Sequence, residues 1–201
     1  QFRQLGSLTP GHPEYGHTVG VDATTGPLGQ GLGMAVGMAM GQAHLATVFN
    51  KPGYDLFDHY VYALAGDGCM MEGISSEALS LAGTLKLEKL IILYDSNNIS
   101  IEGNTNITFT ENVSDRVKAF GFETITVEDG DNLDEVLAAL EKAKTIKGKP
   151  KFIEIKTTIG KDSPNEGSES THGAPLGVNN VKALKEKLGL PQEEFYVPEE
   201  V

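Results

Sequence analysis

Two polar positions punctuate two apolar runs: Asp67 follows YVYALAG inside the stretch AGDGCMMEG, and Asn97 follows LIILYDS. A carboxylate and an amide oxygen are hard donors, and with a backbone carbonyl they form an incomplete, oxygen-only set. Such a set suits magnesium or calcium, whose remaining positions water and phosphate oxygens can fill. Gly66 and Gly68, on either side of Asp67, let the backbone approach a ligand closely. A helix starting near Glu72 would aim the positive end of its dipole at the same place. The chemistry to expect is a divalent cation holding a diphosphate.

Those two residues meet only if the fold brings their strand ends together. Tyr60 to Gly66 reads as a short buried strand, Glu72 to Leu85 as a helix with Ile74, Ala78, Leu81, Ala82 and Leu85 on one stripe, and Leu90 to Asp95 as a strand covered on both faces. Strand, helix, strand in that order is a βαβ unit with parallel strands. Asp67 and Asn97 then share the carboxyl edge of one sheet, outside which ligands bind in open α/β folds.

The alternation continues with a helix over Asn112 to Phe120, a strand over Phe122 to Glu128, a helix over Leu133 to Ile146 and a strand over Lys151 to Thr157. The fold class expected is α/β, a mostly parallel sheet with helices on both faces. A glycine- and serine-rich loop, Gly160 to Gly177, precedes a last helix over Asn179 to Leu188. Residues 1 to 27 read as loop. After them Gly29, Gly33, Gly37 and Gly41 recur every fourth residue, which gives a helix one smooth face. That face serves tight packing within one subunit or an interface between two, and the sequence leaves both open.

A formal net charge of −12 repels polyphosphate at long range and argues against a nucleic-acid partner. Any phosphate ligand then needs local help from a cation, a helix N-terminus or a few placed basic groups. The single cysteine, Cys69, excludes an internal disulfide framework, and the five histidines lack zinc-site spacing, which fits a cytoplasmic compartment. The apolar stretch Leu28 to Phe49 is interrupted by Gln30, Gln42, His44 and glycines, so it is read as a core helix and no membrane association is expected.

A dinucleotide site is the natural rival, because it too uses a glycine-rich first βα turn. The GxGxxG fingerprint fails, with Met71 at the place of its third glycine, although Asp95 could still imitate a ribose-binding acid. A non-catalytic regulatory or structural role is a third reading.

GDG, 28 intervening residues and NN resembles the thiamine diphosphate motif of thiamine-dependent enzymes. Three further stretches, TPGHPEYGHTVGVDATTGPLGQG (Thr9 to Gly31), GDGCMMEGISSEA (Gly66 to Ala78) and THGAPLG (Thr171 to Gly177), resemble the transketolase family. Deoxyxylulose-phosphate synthase and phosphoketolase share GDG and NN, but GHPE, TTGPLGQG and HGAPLG favour transketolase. The likeness implies the thiamine diphosphate-binding fold over residues 1–188 and the start of a linker over 189–201. The opening QFRQLGS, without an initiator methionine, reads as the middle of a longer polypeptide, so the domain is expected to be incomplete at its N-terminus.

By position, the resemblance implies that Asp67 and Asn97 ligate magnesium or calcium through side chains and Ile99 through its carbonyl. Gly66 and Gly68 would approach the diphosphate. Gly26, Pro27 and Leu28 would line the cofactor, with Leu28 and Ile101 flanking its rings and Ile159 nearby. His12 would face the reacting end of the substrate, His172 would contact diphosphate and sugar, and Glu72 would lie at a dimer interface, linked to the glutamate that activates the cofactor. Asp162 and Glu166 replace the glycine and lysine common in relatives, which changes the charge on the substrate side. The implied reaction moves a two-carbon ketol unit from a ketose phosphate to an aldose phosphate in the pentose phosphate pathway. Because the activating glutamate and most sugar-phosphate ligands belong to a later domain supplied across a homodimer, the 201-residue chain is expected to be inactive by itself.

Overall fold

The computed structural model describes residues 2–201. From Phe2 to Gly29 the chain forms turns and loops with neither helix nor strand. Helix α1 (Gln30–Phe49) leads to strand β1 (Val61–Gly66), helices α2 (Asp67–Met71) and α3 (Gly73–Thr84) and strand β2 (Leu90–Ser96). A small antiparallel hairpin, β3 (Ile99–Ser100) with β4 (Gly103–Asn104), follows at once. Then come α4 (Val113–Ala119), β5 (Glu123–Val127), α5 (Leu133–Thr145), β6 (Lys151–Lys156) and α6 (Val178–Lys187). The four long strands form one parallel sheet in the order β1-β2-β6-β5.

Strand alternation divides the core in two. Ile92, Tyr94 and Phe152 face α1, α3 and α4 on one side, while Ile91, Ile153, Ile125 and Val127 face Ala139 and Ala143 of α5 on the other. Helices therefore cover both faces, as the αβ alternation requires. Asparagine side chains start two of them: Asn112 Oδ1 accepts the Asp115 N–H at 3.0 Å and Asn132 Oδ1 accepts that of Glu135 at 3.3 Å.

The structure departs from the sequence reading in four places. β1 is an edge strand, and its Tyr62 and Leu64 are 48% and 77% exposed; an apolar run alone does not reveal which strand is outermost. A short helix that the sequence reading did not place, α2, precedes the one expected from Glu72 to Leu85, which forms as α3, and Glu72 between them has an extended backbone (φ −74°, ψ 140°). Side chains take the carbonyls that the break frees: Ser75 Oγ donates to Cys69 O at 2.5 Å and Arg116 Nη2 to Met70 O at 2.6 Å. The hairpin after Asn97 has no apolar pattern to announce it. The tail beyond Gly189 turns back on α6, where Lys185 Nζ donates to Glu193 O at 2.7 Å.

Helix α1 is long and apolar enough to cross a membrane by length and composition. Here its Leu32, Ala35, Val36, Ala39 and Gln42 are buried against the sheet and α3. Of its glycine face, only the N-terminal end is used within the chain. A Cβ on Gly29 would stand 2.8 Å from Ile74 Cγ2 and Ser75 Oγ, whereas Gly37 and Gly41 have no heavy atom within 4 Å of that position.

Candidate functional site

Gly66 is the last residue of β1 and Asp67 the first of α2, so the carboxylate stands at the carboxyl edge of the sheet. Register pairs Gly66 with Asp95, which places the chain after β2 beside it. The Asn97 and Asn98 backbone N–H groups both donate to Asp67 Oδ2, at 3.2 and 3.0 Å. The Tyr94 hydroxyl donates to Oδ1 at 2.5 Å. Asp67 is 4% exposed, and burial pushes its carboxyl above the ordinary range, opposed by these three hydrogen bonds. It takes part in none of the salt bridges among the described residues.

The turn after β2 has its own geometry. Asn97 Oδ1 accepts the Ile99 N–H at 2.9 Å, and Asn98 takes a left-handed conformation with φ 61°. Asparagine tolerates that region better than most residues, so the paired asparagines divide the work: Asn97 offers a side chain and Asn98 bends the backbone. Thr105, 4% exposed, closes the turn from behind by donating its N–H to Asn98 O at 2.9 Å.

The donor set fits a hard divalent cation. It has one buried carboxylate with no basic partner, one amide oxygen and the Ile99 carbonyl in the same turn. No cluster of three or more His, Cys, Asp or Glu capable of holding a metal occurs among the described residues. The helix that points its N-terminus at this place is α2, starting at Asp67, which corrects the expectation that it would start near Glu72. Glu72 lies exposed at the break instead, its Cβ 2.9 Å from the position a Gly29 Cβ would take.

Several other candidates converge on the same edge. The His12 ring lies against Gly26, whose Cβ would stand 2.6 Å from His12 Cγ, and Gly26 has φ 138°. Leu28 Cδ1 is 3.0 Å from where a Gly68 side chain would begin, so residues 26–28 lie directly over the start of α2. A Cβ on Gly160 would be 2.7 Å from Thr171 Cγ2, which places Ile159 beside the loop that carries His172. Arg3 ties that loop to the N-terminal segment, donating from Nη1 to Gly173 O at 3.2 Å. Ile101 is 68% exposed between β3 and β4, and among the described residues neither it nor His172 hydrogen-bonds to Asp67 or Asn97. Asp162 and Glu166 are occupied locally, with Asp162 2.7 Å from Lys187 Nζ and Glu166 Oε2 accepting the Asp162 N–H at 2.8 Å.

Sequence reasoning missed Tyr94 and Asn98. Tyr94 lies in an apolar run, where its ring passes for core; the available signal was a hydroxyl near the carboxyl end of a strand. Asp95, the acid on which a dinucleotide reading would rely, accepts a hydrogen bond from the Thr157 hydroxyl on the neighbouring segment.

Comparison with known proteins matches this geometry. The family described as transketolase, thiamine diphosphate binding domain, matches residues 1–201. Transketolase of Geobacillus stearothermophilus is 57% identical over 203 residues, covering 100% of the chain and 30% of the relative, and that of Halalkalibacterium halodurans is 58% identical over 202 residues with the same coverage. The chain thus spans about 30% of the length of these curated relatives. Among solved structures, transketolase from Leishmania mexicana superposes with a TM-score of 0.96 at 52% identity over 98% of this chain and 30% of that one. A Pichia stipitis transketolase solved as a complex with sedoheptulose-7-phosphate gives 0.96 at 48% identity, over 98% and 29%. With the family model over residues 1–201, the curated relatives and the fold in agreement, the chain belongs to the transketolase thiamine diphosphate-binding domain family.

Proposed function

We propose that the natural-length polypeptide carrying this domain is a transketolase. It transfers a two-carbon ketol unit from a ketose phosphate to an aldose phosphate, using thiamine diphosphate and magnesium or calcium. The pathway is the pentose phosphate pathway, the compartment the cytoplasm and the assembly a homodimer. Residues 1–188 form the diphosphate-binding domain and 189–201 begin a linker. The observation that carries this reading is the buried Asp67 carboxylate beside the Asn97 turn, at the adjoining ends of β1 and β2.

When bound, the cofactor supplies a nucleophilic carbon and a sink for the electron pair released on carbon–carbon cleavage. The protein binds, orients and moves protons. Asp67 and Asn97 side chains with the Ile99 carbonyl hold the metal. The free N–H groups at the start of α2, including that of Gly68, face the diphosphate. Gly26, Pro27 and Leu28 line one side, Ile101 and Ile159 another. His12 and His172 handle protons on the sugar, which imidazole suits because its ordinary pKa lies near neutrality. Glu72 passes a contact to the partner subunit. Since that arrangement needs groups outside the domain, the isolated chain shows no turnover in a coupled ketol-transfer assay.

Calorimetric titration of the natural-length protein tests the cofactor assignment. Thiamine diphosphate should bind only when magnesium is present, and Asp67→Ala should abolish that dependence together with tight binding. Binding that ignores both the metal and Asp67 would sink the assignment.

A further inference from the structure

Tyr94 is 3% exposed, its ring centroid 5.5 Å from that of Phe152. A phenylalanine would fill this space equally well, so the hydroxyl calls for a separate explanation. It donates to Asp67 Oδ1 at 2.5 Å, while Asn97 and Asn98 donate to Oδ2. All three donors come from β2 or the turn that follows it. The carboxylate is therefore fixed about its Cβ–Cγ bond from both oxygens, leaving defined lone pairs directed away from Tyr94. With the hydroxyl removed, only donors on one oxygen remain, and the group can swing.

The neighbouring acid does not compete for that proton. Glu154 pairs in register with Tyr94 and lines the same cavity of about 540 Å³ on this face of the sheet. Its Oε1 accepts from Ser96 Oγ at 3.2 Å and its Oε2 from Ser114 Oγ at 2.5 Å. Each carboxylate thus has its own hydroxyl donors. We propose that Tyr94 is a positioning residue for the metal, aiming the Asp67 carboxylate at the cation through its hydroxyl; this rests on the cofactor reading above. Partners that orient a metal ligand from behind typically contribute about 10- to 100-fold in affinity.

The test uses the natural-length enzyme freed of cofactor and metal, with manganese as probe in the presence of thiamine diphosphate. Tyr94→Phe should weaken manganese binding by about 10-fold or more. The melting temperature of the cofactor-free protein should fall by only a few degrees, because the ring keeps its place beside Phe152 and a single hydrogen bond is lost. A hydroxyl that served only to stabilise the folded domain would lower the melting temperature and leave metal affinity alone, and that pattern overturns the inference. So does unchanged affinity with unchanged stability. Asp67→Ala, measured alongside, separates the two levels. Loss of binding in Asp67→Ala without loss in Tyr94→Phe rejects only the role of Tyr94, whereas full binding in both rejects the metal site itself.

Discussion

The Asn98 backbone N–H donates to Asp67 Oδ2 at 3.0 Å from a residue whose φ is 61°. The second asparagine of the pair is thus used for its backbone: its N–H reaches the carboxylate, and its left-handed conformation turns the chain that follows into β3. Asn98→Gly should therefore be nearly neutral in stability and metal affinity. Asn98→Val, β-branched and poorly suited to positive φ, should cost about 1–2 kcal/mol and weaken metal binding. Urea unfolding and metal titration of the two variants check this, and equal behaviour would reject it.

That pair shows where the sequence was legible. Strand, helix and strand periodicity placed Asp67 and Asn97 on one edge because hydrophobic burial follows local pattern. The roles of Tyr94 and Asn98 depend on long-range placement and on a torsion angle, and neither leaves a periodic trace. The short helix α2 escaped for a similar reason. Its five residues are too few to show a period, and Ser75 and Arg116 cap its freed carbonyls from positions six and 46 residues on. The exposure of Tyr62 and Leu64 was equally hidden, because an outermost strand and a central one can carry the same apolar run.

A second prediction concerns two glycines with opposite surroundings. At Gly83 a Cβ would collide with the Phe120 carbonyl, a backbone atom that cannot rotate away, so α3 approaches the turn after α4 too closely for any side chain. Gly83→Ala should cost about 3 kcal/mol or more. Gly37 lies in α1 with open space around its Cβ position, and Gly37→Ala should gain about 0.5–1 kcal/mol in the domain from helix propensity. Denaturant midpoints of both variants decide the matter. A tolerated Gly83→Ala would show that α3 and the turn at Phe120 do not meet as described.

The far end of the sheet supplies a prediction about pH. Lys151 is fully buried, donates from Nζ to the Glu88 carbonyl and lies 5.6 Å from the Tyr60 ring centroid. Burial is the main cause that pushes its pKa down from 10.5 to about 8; Glu88 opposes this, while Lys147 and Lys89 add to it. Because the folded pKa lies below the unfolded one, the unfolded chain holds more protons between about pH 8 and 10.5, and the contribution of Lys151 to stability rises through that window. Lys89, Lys156 and Lys161 are shifted upward by Asp58, Glu128 and Asp131 and pull the other way, so the comparison must be made against a variant. Relative to Lys151→Met, the wild type should gain on the order of 1–2 kcal/mol between pH 7 and 9.5. Parallel unfolding curves for the two proteins would show the wild type drawing ahead as pH rises, and a gap independent of pH would mean that Lys151 titrates like an exposed lysine.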